Sequence, residues 1–141
     1  MTNYLTMPLI KSLLAVKTLL FIALLYSIVI TSLFFLSSQD LPKTQISEAD
    51  KLVHIVIHFI LVNLWLLYFF VKNKFQFKKN WILIVVLSVL FYGIIIEIFQ
   101  ELFTDSRSAD ILDVAANLTG AILGIFFFKN LKHKLKPKYF N

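Results

Sequence analysis

The sequence contains no cysteine, so disulfide bonds and thiolate metal sites are excluded. Glycine and proline are rare, at three residues each in 141, which disfavours a fold rich in loops. Charged residues make up only 16% of the chain, whereas hydrophobic residues reach 59%, above the roughly 45–50% that is typical of soluble domains. These shortages favour a chain that folds within a membrane.

The hydrophobic residues form four long blocks, each close to the ~20 residues that cross a hydrocarbon core of ~30 Å. Backbone amides cannot stay unpaired in lipid, so each block is predicted to be an α-helix. A soluble four-helix bundle would show polar faces at helical period, and these blocks are apolar on most sides. The predicted fold class is therefore all-α, an integral membrane bundle of four transmembrane helices. It forms a single domain over residues 1–141, with spans at about 18–36, 52–71, 81–100 and 111–128.

Basic residues flank the blocks unevenly. They precede the first block, separate the second from the third and follow the fourth: Lys11, Lys17, Lys72, Lys74, Lys78, Lys79, Lys129, Lys132, Lys134, Lys136 and Lys138. Positively charged flanks stay in the cytoplasm, so both termini are predicted to be cytoplasmic and loops 37–51 and 101–110 to face outward. The basic cytoplasmic tail 129–141 is predicted to meet anionic lipid headgroups rather than nucleic acid.

Polar residues recur at helical spacing near the predicted outer ends of three blocks: Asp50, His54 and His58; Glu97 and Gln100; Asp110, Asp113 and Asn117. Residues three or four apart share a helix face, and charges in lipid are costly, so we expect the three faces to turn toward one another. The sequence therefore predicts a polar pocket at the outer leaflet. The alternative is purely structural, with these residues only locking the three helices together.

Some members of the pattern have a second interpretation. Asp110 precedes the fourth block and is suited to cap its helix, because a carboxylate there can accept from unpaired amides. Gly120 and Gly124 have the small-residue spacing of closely packed helices. Asn63 lies in the middle of the second block, where an interhelix hydrogen bond is expected.

The chemistry of the pocket stays open at this point. HIVIH, His54 to His58, has the histidine spacing of zinc proteases but lacks their glutamate, because Ile55 stands at that position. In ligand type, His54, His58, Glu97 and Asp113 are suited to zinc, and a histidine beside a carboxylate is suited to acid–base chemistry. No metal ion and no cofactor is predicted, and spacing alone leaves catalysis undecided.

Three segments, taken in order, resemble the VanZ-like family of small bacterial membrane proteins. DKLVHIVIHFIL, Asp50 to Leu61, is similar to the family's Asp-Lys-x-x-His opening of a span. YGIIIEIFQ, Tyr92 to Gln100, is similar to its Tyr-Gly-x-x-x-Glu-x-x-Gln segment. RSADILDVAANLTGAILG, Arg107 to Gly124, resembles its Arg-x-x-Asp-x-x-Asp-x-x-x-Asn-x-x-Gly run.

The resemblance implies a four-span protein of the bacterial cytoplasmic membrane. The family takes its name from a protein that gives low-level resistance to the glycopeptide teicoplanin. This implies a cell-envelope role in antibiotic resistance, through binding, or modulating access to, lipid-linked envelope precursors or lipoglycopeptides. The alternative is an intramembrane hydrolase or transferase that acts on lipid-linked substrates with the His/Asp/Glu cluster. The predicted partners are membrane lipids and an amphiphilic ligand, and the predicted pocket residues are Asp50, Lys51, His54, Glu97, Gln100, Arg107, Asp110, Asp113 and Asn117.

Overall fold

The structure, a computed structural model, describes residues 15–34, 49–76, 79–103 and 110–135. These residues form four helices: α1 Val16–Phe34, α2 Ala49–Lys72, α3 Lys79–Phe103 and α4 Ile111–Lys134. Each helix is long and apolar enough to cross a membrane. The predicted all-α fold with four long apolar helices is confirmed, and the orientation of the termini stays a prediction.

The surface of the bundle is apolar around its middle. The helices have 19–25 residues, which corresponds to about 28–38 Å at 1.5 Å per residue. Large side chains such as Phe21, Leu83 and Phe126 each expose 60% or more of their area. An apolar surface of this extent is a liability in water but is expected of helices that contact acyl chains.

The helices alternate in direction. The end of α1 lies beside the end of α3, where Gln100 Nε2 donates to the Phe34 carbonyl oxygen at 3.1 Å. The first turn of α2 lies beside the start of α4, where Lys51 Nζ contacts Asp110 Oδ2 at 3.2 Å. The Phe34 ring also packs on His54 of α2, with ring centroids 5.1 Å apart. All four of these helix ends therefore meet at one end of the bundle, which we call the acidic end.

Helix α2 is the centre of the bundle and packs most extensively against α4. Two glycines of α4 allow this contact. A Cβ atom at Gly120 would collide with the Ile55 carbonyl oxygen, and one at Gly124 would lie 3.1 Å from the Phe59 carbonyl oxygen. Small residues at this spacing let helix backbones approach closely in lipid, so these two glycines set the distance between α2 and α4.

The opposite end of the bundle, which we call the lysine-rich end, contains the turn between α2 and α3. There the Phe75 N–H donates to the Phe70 carbonyl oxygen at 2.9 Å and the Lys74 N–H donates to the Val71 carbonyl oxygen at 3.0 Å. Lys74 has a positive φ of 53°. This is a Schellman motif, and its usual hydrophobic contact is present because the Phe70 and Phe75 rings meet edge to face at 5.4 Å.

Helix α4 is longer than its predicted span. Residues 129–134, which the sequence analysis assigned to the basic tail, continue the helix to Lys134. Lysine and leucine are good helix formers, and the next proline in the sequence is Pro137. Lys132, His133 and Lys134 lie in that last turn, where cations interact favourably with the helix dipole.

Candidate functional site

Three helices bring polar side chains together inside the acidic end. His54 of α2 is 3% exposed and lies between two carboxylates. Its Nδ1 is 3.7 Å from Glu97 Oε1 of α3, and its Nε2 is 3.8 Å from Asp113 Oδ2 of α4. We call His54, Glu97, Asp113 and Asn117 the polar cluster. The structure therefore brings together residues that are distant in the sequence, with His54 and Asn117 63 positions apart.

Asn117 fixes the orientation of the histidine. Its Oδ1 lies 2.9 Å from His54 Nδ1, and both side chains are buried. Since an amide oxygen only accepts, Nδ1 carries the proton and donates this hydrogen bond. The Nε2 lone pair of the neutral ring then faces Asp113. Asn117 thus positions an imidazole nitrogen that is ready to take a proton or a cation.

Lys51 links the polar cluster to the mouth of the acidic end. Its Nζ lies 3.2 Å from Asp110 Oδ2, 3.5 Å from Asp113 Oδ1 and 3.6 Å from Asp50 Oδ2. Asp113 therefore bridges Lys51 and His54, one through each carboxylate oxygen. The ammonium group is thus compensated by carboxylates of α2 and α4.

Asp110 combines two roles. It is the N-cap of α4, and its Oδ1 accepts from the Leu112 N–H at 2.8 Å. Its other oxygen contacts Lys51. The Leu112 N–H and then the Lys51 ammonium hold the pKa of the Asp110 carboxyl below its usual value. The capping interpretation of Asp110 is thus correct, and the same side chain also belongs to the mouth of the cluster.

A second histidine lies one turn deeper in α2. His58 is fully buried, and its ring stacks on His54 with centroids 6.4 Å apart. Its Nδ1 donates to the His54 carbonyl oxygen at 3.1 Å, so Nε2 carries a lone pair. A Cβ atom at Gly93 would lie 3.2 Å from this Nε2 and 2.8 Å from Asn117 Nδ2. Gly93 is therefore the position at which α3 comes close enough to complete the site.

An apolar cavity of about 280 Å³ begins beside this second histidine. Tyr92 lines the cavity, and its ring lies 6.2 Å from the His58 ring. The Tyr92 hydroxyl bonds to Thr31 Oγ1 of α1 at 2.9 Å. From there the cavity runs between α1, α2 and α3 toward the lysine-rich end. It is lined by Ser27, Leu61, Trp65, Phe69, Ile84, Val85, Ser88, Val89 and Tyr92.

Three of the expectations from the sequence have other outcomes. Gln100 holds the end of α1 through the Phe34 carbonyl oxygen. Arg107 lies outside the described residues. The expectation for Asn63 is wrong, because its amide donates to the Phe59 carbonyl oxygen of its own helix at 2.7 Å. A polar side chain within a span can bond to the carbonyl one turn back, which needs no partner helix.

The pocket prediction omits two residues that complete the geometry. Spacing already places His58 on the helix face of His54, although the list of pocket residues leaves it out, and Gly93 precedes Glu97 by one turn, so spacing could also have found it. The participation of α1 through Thr31 could not, because its serines and threonines also bond to carbonyls within α1, as the Thr31 hydroxyl does to Ser27 at 2.7 Å.

Comparison with protein-family models identifies the family of this chain. A family model described as VanZ/LLP1 matches residues 13–132, which contain the whole polar cluster. The chain belongs to the VanZ/LLP1 family. The resemblance found from the three motifs is thereby confirmed, and with its four apolar helices this VanZ/LLP1 member is a multi-pass membrane protein. Neither curated proteins nor solved structures give a match.

Proposed function

We propose that this VanZ/LLP1 family protein binds an amphiphile of the cell envelope, a lipid-linked precursor or a lipoglycopeptide. Its headgroup lies at the polar cluster and its hydrocarbon chain lies in the apolar cavity. The observation that carries the proposal is the junction at Tyr92, which lines the cavity and also contacts His58. A polar cluster that continues into an apolar cavity within the membrane matches the two halves of an amphiphile.

The chemistry of the mouth favours a headgroup rich in hydrogen-bond donors. Asp50, Asp110 and Asp113 surround Lys51, and ionised carboxylates only accept hydrogen bonds. Sugar hydroxyls, peptide amides and amines supply donors. The disaccharide–peptide part of a lipid-linked precursor and the glycopeptide part of a lipoglycopeptide both carry these groups.

The cavity offers a test that leaves the polar cluster intact. Ser88→Trp fills the cavity from α3, and the adjacent Leu87→Trp places the same ring on the lipid-facing side, since Leu87 is 44% exposed. The probes are a fluorescent polyprenyl-diphosphate disaccharide–pentapeptide and teicoplanin, titrated onto purified protein in nanodiscs. We expect Ser88→Trp to raise Kd by about tenfold or more, a loss of about 1.4 kcal/mol, and Leu87→Trp to match wild type. Equal affinity of all three proteins would contradict the proposal.

The proposed orientation places the acidic end at the outer leaflet, with both termini in the cytoplasm. The absence of cysteine makes single-cysteine labelling direct. Gln76→Cys reports the lysine-rich end and Glu101→Cys the acidic end, and both positions are exposed. A membrane-impermeant maleimide added to intact cells should label Glu101→Cys and not Gln76→Cys. The reverse pattern would invert the topology and place the cluster at the inner leaflet.

A second candidate function is an intramembrane hydrolase or transferase on the same lipid-linked substrates. The hydrogen bond from His54 Nδ1 to Asn117 supports it, because that bond leaves Nε2 available as a general base beside Asp113. Incubation of purified protein with a polyprenyl diphosphate and product analysis would separate the two. Turnover that is lost in Asn117→Ala supports an enzyme, and binding without turnover supports the amphiphile-binding role.

A further inference from the structure

The polar cluster contains three side chains with metal-ligand chemistry. One ligand atom each from His54, Glu97 and Asp113 lies within 4.8 Å of the other two. They come from α2, α3 and α4, so the set exists only in the folded bundle. Imidazole nitrogen and carboxylate oxygen are both ligands of Zn²⁺ and of other first-row divalent cations.

The spacing of the set is close to that of a coordination sphere. Zn–N and Zn–O bonds of 2.0–2.2 Å in a tetrahedron separate two ligand atoms by about 3.3–3.6 Å. His54 Nε2, the ring nitrogen that does not bond to Asn117, lies 3.8 Å from Asp113 Oδ2, and one ligand atom each of His54, Glu97 and Asp113 lies within 4.8 Å of the others. These separations are longer than hydrogen bonds, and side-chain shifts of about 0.2–1.5 Å would bring the ligand atoms to tetrahedral spacing.

Asn117 provides the support that a histidine ligand needs. Metal-ligating histidines donate their other ring N–H to a neighbouring acceptor, which fixes the tautomer. His54 Nδ1 makes such a bond to Asn117 Oδ1 at 2.9 Å. The remaining nitrogen, Nε2, faces Asp113 Oδ2, and two lone-pair atoms that face each other favour a proton or a cation between them.

Two further observations point to a cation. The Lys51 ammonium group is shared by three carboxylates, those of Asp50, Asp110 and Asp113. The Nε2 lone pair of His58 is fully buried without a hydrogen-bond partner among the described residues. A cation offsets the negative charge, and a water bound to it is a donor of the kind that a buried lone pair lacks.

We propose that His54, Glu97 and Asp113 bind a divalent first-row transition-metal cation, of which Zn²⁺ fits the ligand set. Three protein ligands leave the fourth position of a tetrahedral site for water or for an anionic oxygen such as that of a phosphate. The site does not depend on the amphiphile-binding role, because the folded bundle assembles its ligands without any lipid.

The test measures metal binding without any amphiphile. Purified full-length protein is stripped with a chelator, titrated with Zn²⁺ against a competing chromophoric chelator, and its bound metal is counted by mass spectrometry. Co²⁺ in place of Zn²⁺ reports the coordination number through its visible absorption. We expect one equivalent of Zn²⁺ in the wild-type protein and a four- or five-coordinate Co²⁺ spectrum. A wild-type protein that retains no stoichiometric metal would overturn the site.

Matched variants locate the metal. Glu97→Gln and Asp113→Asn keep the side-chain shape, and Asn117→Ala removes only the support of His54. We expect Glu97→Gln and Asp113→Asn to lose stoichiometric Zn²⁺ and Asn117→Ala to weaken its affinity by roughly 10–100-fold. Glu101→Gln, at an exposed position of the acidic end, is the carboxylate control, and His133→Ala, at the lysine-rich end, is the histidine control. Both controls should bind Zn²⁺ as wild type does.

Loss of metal binding can be distinguished from a folding defect of a variant and from failure of the amphiphile proposal. If a ligand variant loses its helical circular dichroism, the wild-type protein alone still decides, because Zn²⁺ that binds the folded state must raise its Tm. Metal loss in His133→Ala but not in Asp113→Asn would place the ion at the other end and contradict the proposal. Ser88→Trp should weaken amphiphile binding and retain one Zn²⁺, so each proposal can fail alone.

Discussion

At the lysine-rich end the interior of the bundle is filled by aromatic rings, whereas at the acidic end it holds imidazole, carboxylate and amide groups. Phe128 is fully buried there, and its ring meets Phe70 edge to face at 5.7 Å. At the acidic end, His54, Glu97 and Asn117 are each no more than 3% exposed. The described lysines of the lysine-rich end, such as Lys72, Lys74 and Lys129, are exposed, so charge lies on the surface at that end and in the interior at the acidic end.

The lysine-rich end shows that this bundle can close around apolar packing alone. A charged group inside a membrane costs on the order of 2.5–3.5 kcal/mol near the centre of the bilayer and less near its surface. The acidic end therefore accepts a cost that the architecture does not require. We infer that its polar groups are retained for binding or chemistry. Substitutions at the lysine-rich end should therefore reduce stability more than binding, and substitutions in the polar cluster should reduce binding more than stability.

The largest expected effect is on stability at the lysine-rich end. Phe128→Ala should lower the free energy of unfolding by about 3–5 kcal/mol, because it removes a fully buried ring and leaves a cavity. Phe126→Ala, in which the lost ring is 62% exposed, should change it much less. An SDS-unfolding titration followed by circular dichroism measures both. Ligand and metal affinity of the folded Phe128→Ala protein should stay at wild-type values.

The next effect comes from the contact of α2 with α4, on which the acidic end depends. Gly120→Val would push a side chain against the Ile55 carbonyl oxygen, which belongs to a helix backbone and cannot rotate away. We expect a loss of about 1–3 kcal/mol or more. Thr119→Val places the same side chain at an exposed neighbouring position and should be near wild type. Equal stability of both variants would show that α2 and α4 can separate without cost.

The polar interior should tolerate a neutral side chain. Glu97→Gln keeps the shape of the residue and removes a buried charge, so the free energy of unfolding should change by less than about 1 kcal/mol while site-dependent binding is lost. The reciprocal change, Leu66→Gln at a position 3% exposed in the apolar interior, should cost about 1–3 kcal/mol through an unpaired amide. If the Glu97→Gln protein bound amphiphile and metal normally, the polar cluster would have only a structural role.

Much of this fold follows from local properties of the sequence. Span length and hydrophobicity fix four helices, and i, i+4 spacing puts Asp50 and His54 on one face of α2. These signals also predict that α2, α3 and α4 carry their polar groups at the same end, as the contacts of His54 with Glu97 and Asp113 show.

The rest depends on how each helix is rotated in the bundle. An apolar helix such as α1 has no polar face that fixes its rotation, so its contacts through Tyr26 and Thr31 were not predictable. The pairing of Lys51 with three carboxylates depends on distances between helices, which spacing within one helix does not contain. Arg107 lies outside the described residues, and its role in the pocket stays a prediction.

The smallest expected effect concerns the exposed rim of the acidic end. Asp110 caps α4 and contacts Lys51, and its pKa is lowered by the Leu112 N–H and then by Lys51. A lowered pKa means that the carboxylate stabilises the fold above its unfolded value, about 3.9, and that this contribution is lost as the pH falls through the folded value. Asp110→Ala should therefore lower Tm slightly at neutral pH, and the difference from wild type should shrink below about pH 4.

Asp110→Asn retains a capping oxygen, and its Tm should lie between those of wild type and Asp110→Ala. If the Tm difference between wild type and Asp110→Ala grew with acidification, the carboxylate would be destabilised at the rim as well. The contrast between polar groups that lower stability in the interior and a carboxylate that raises it at the mouth would then fail.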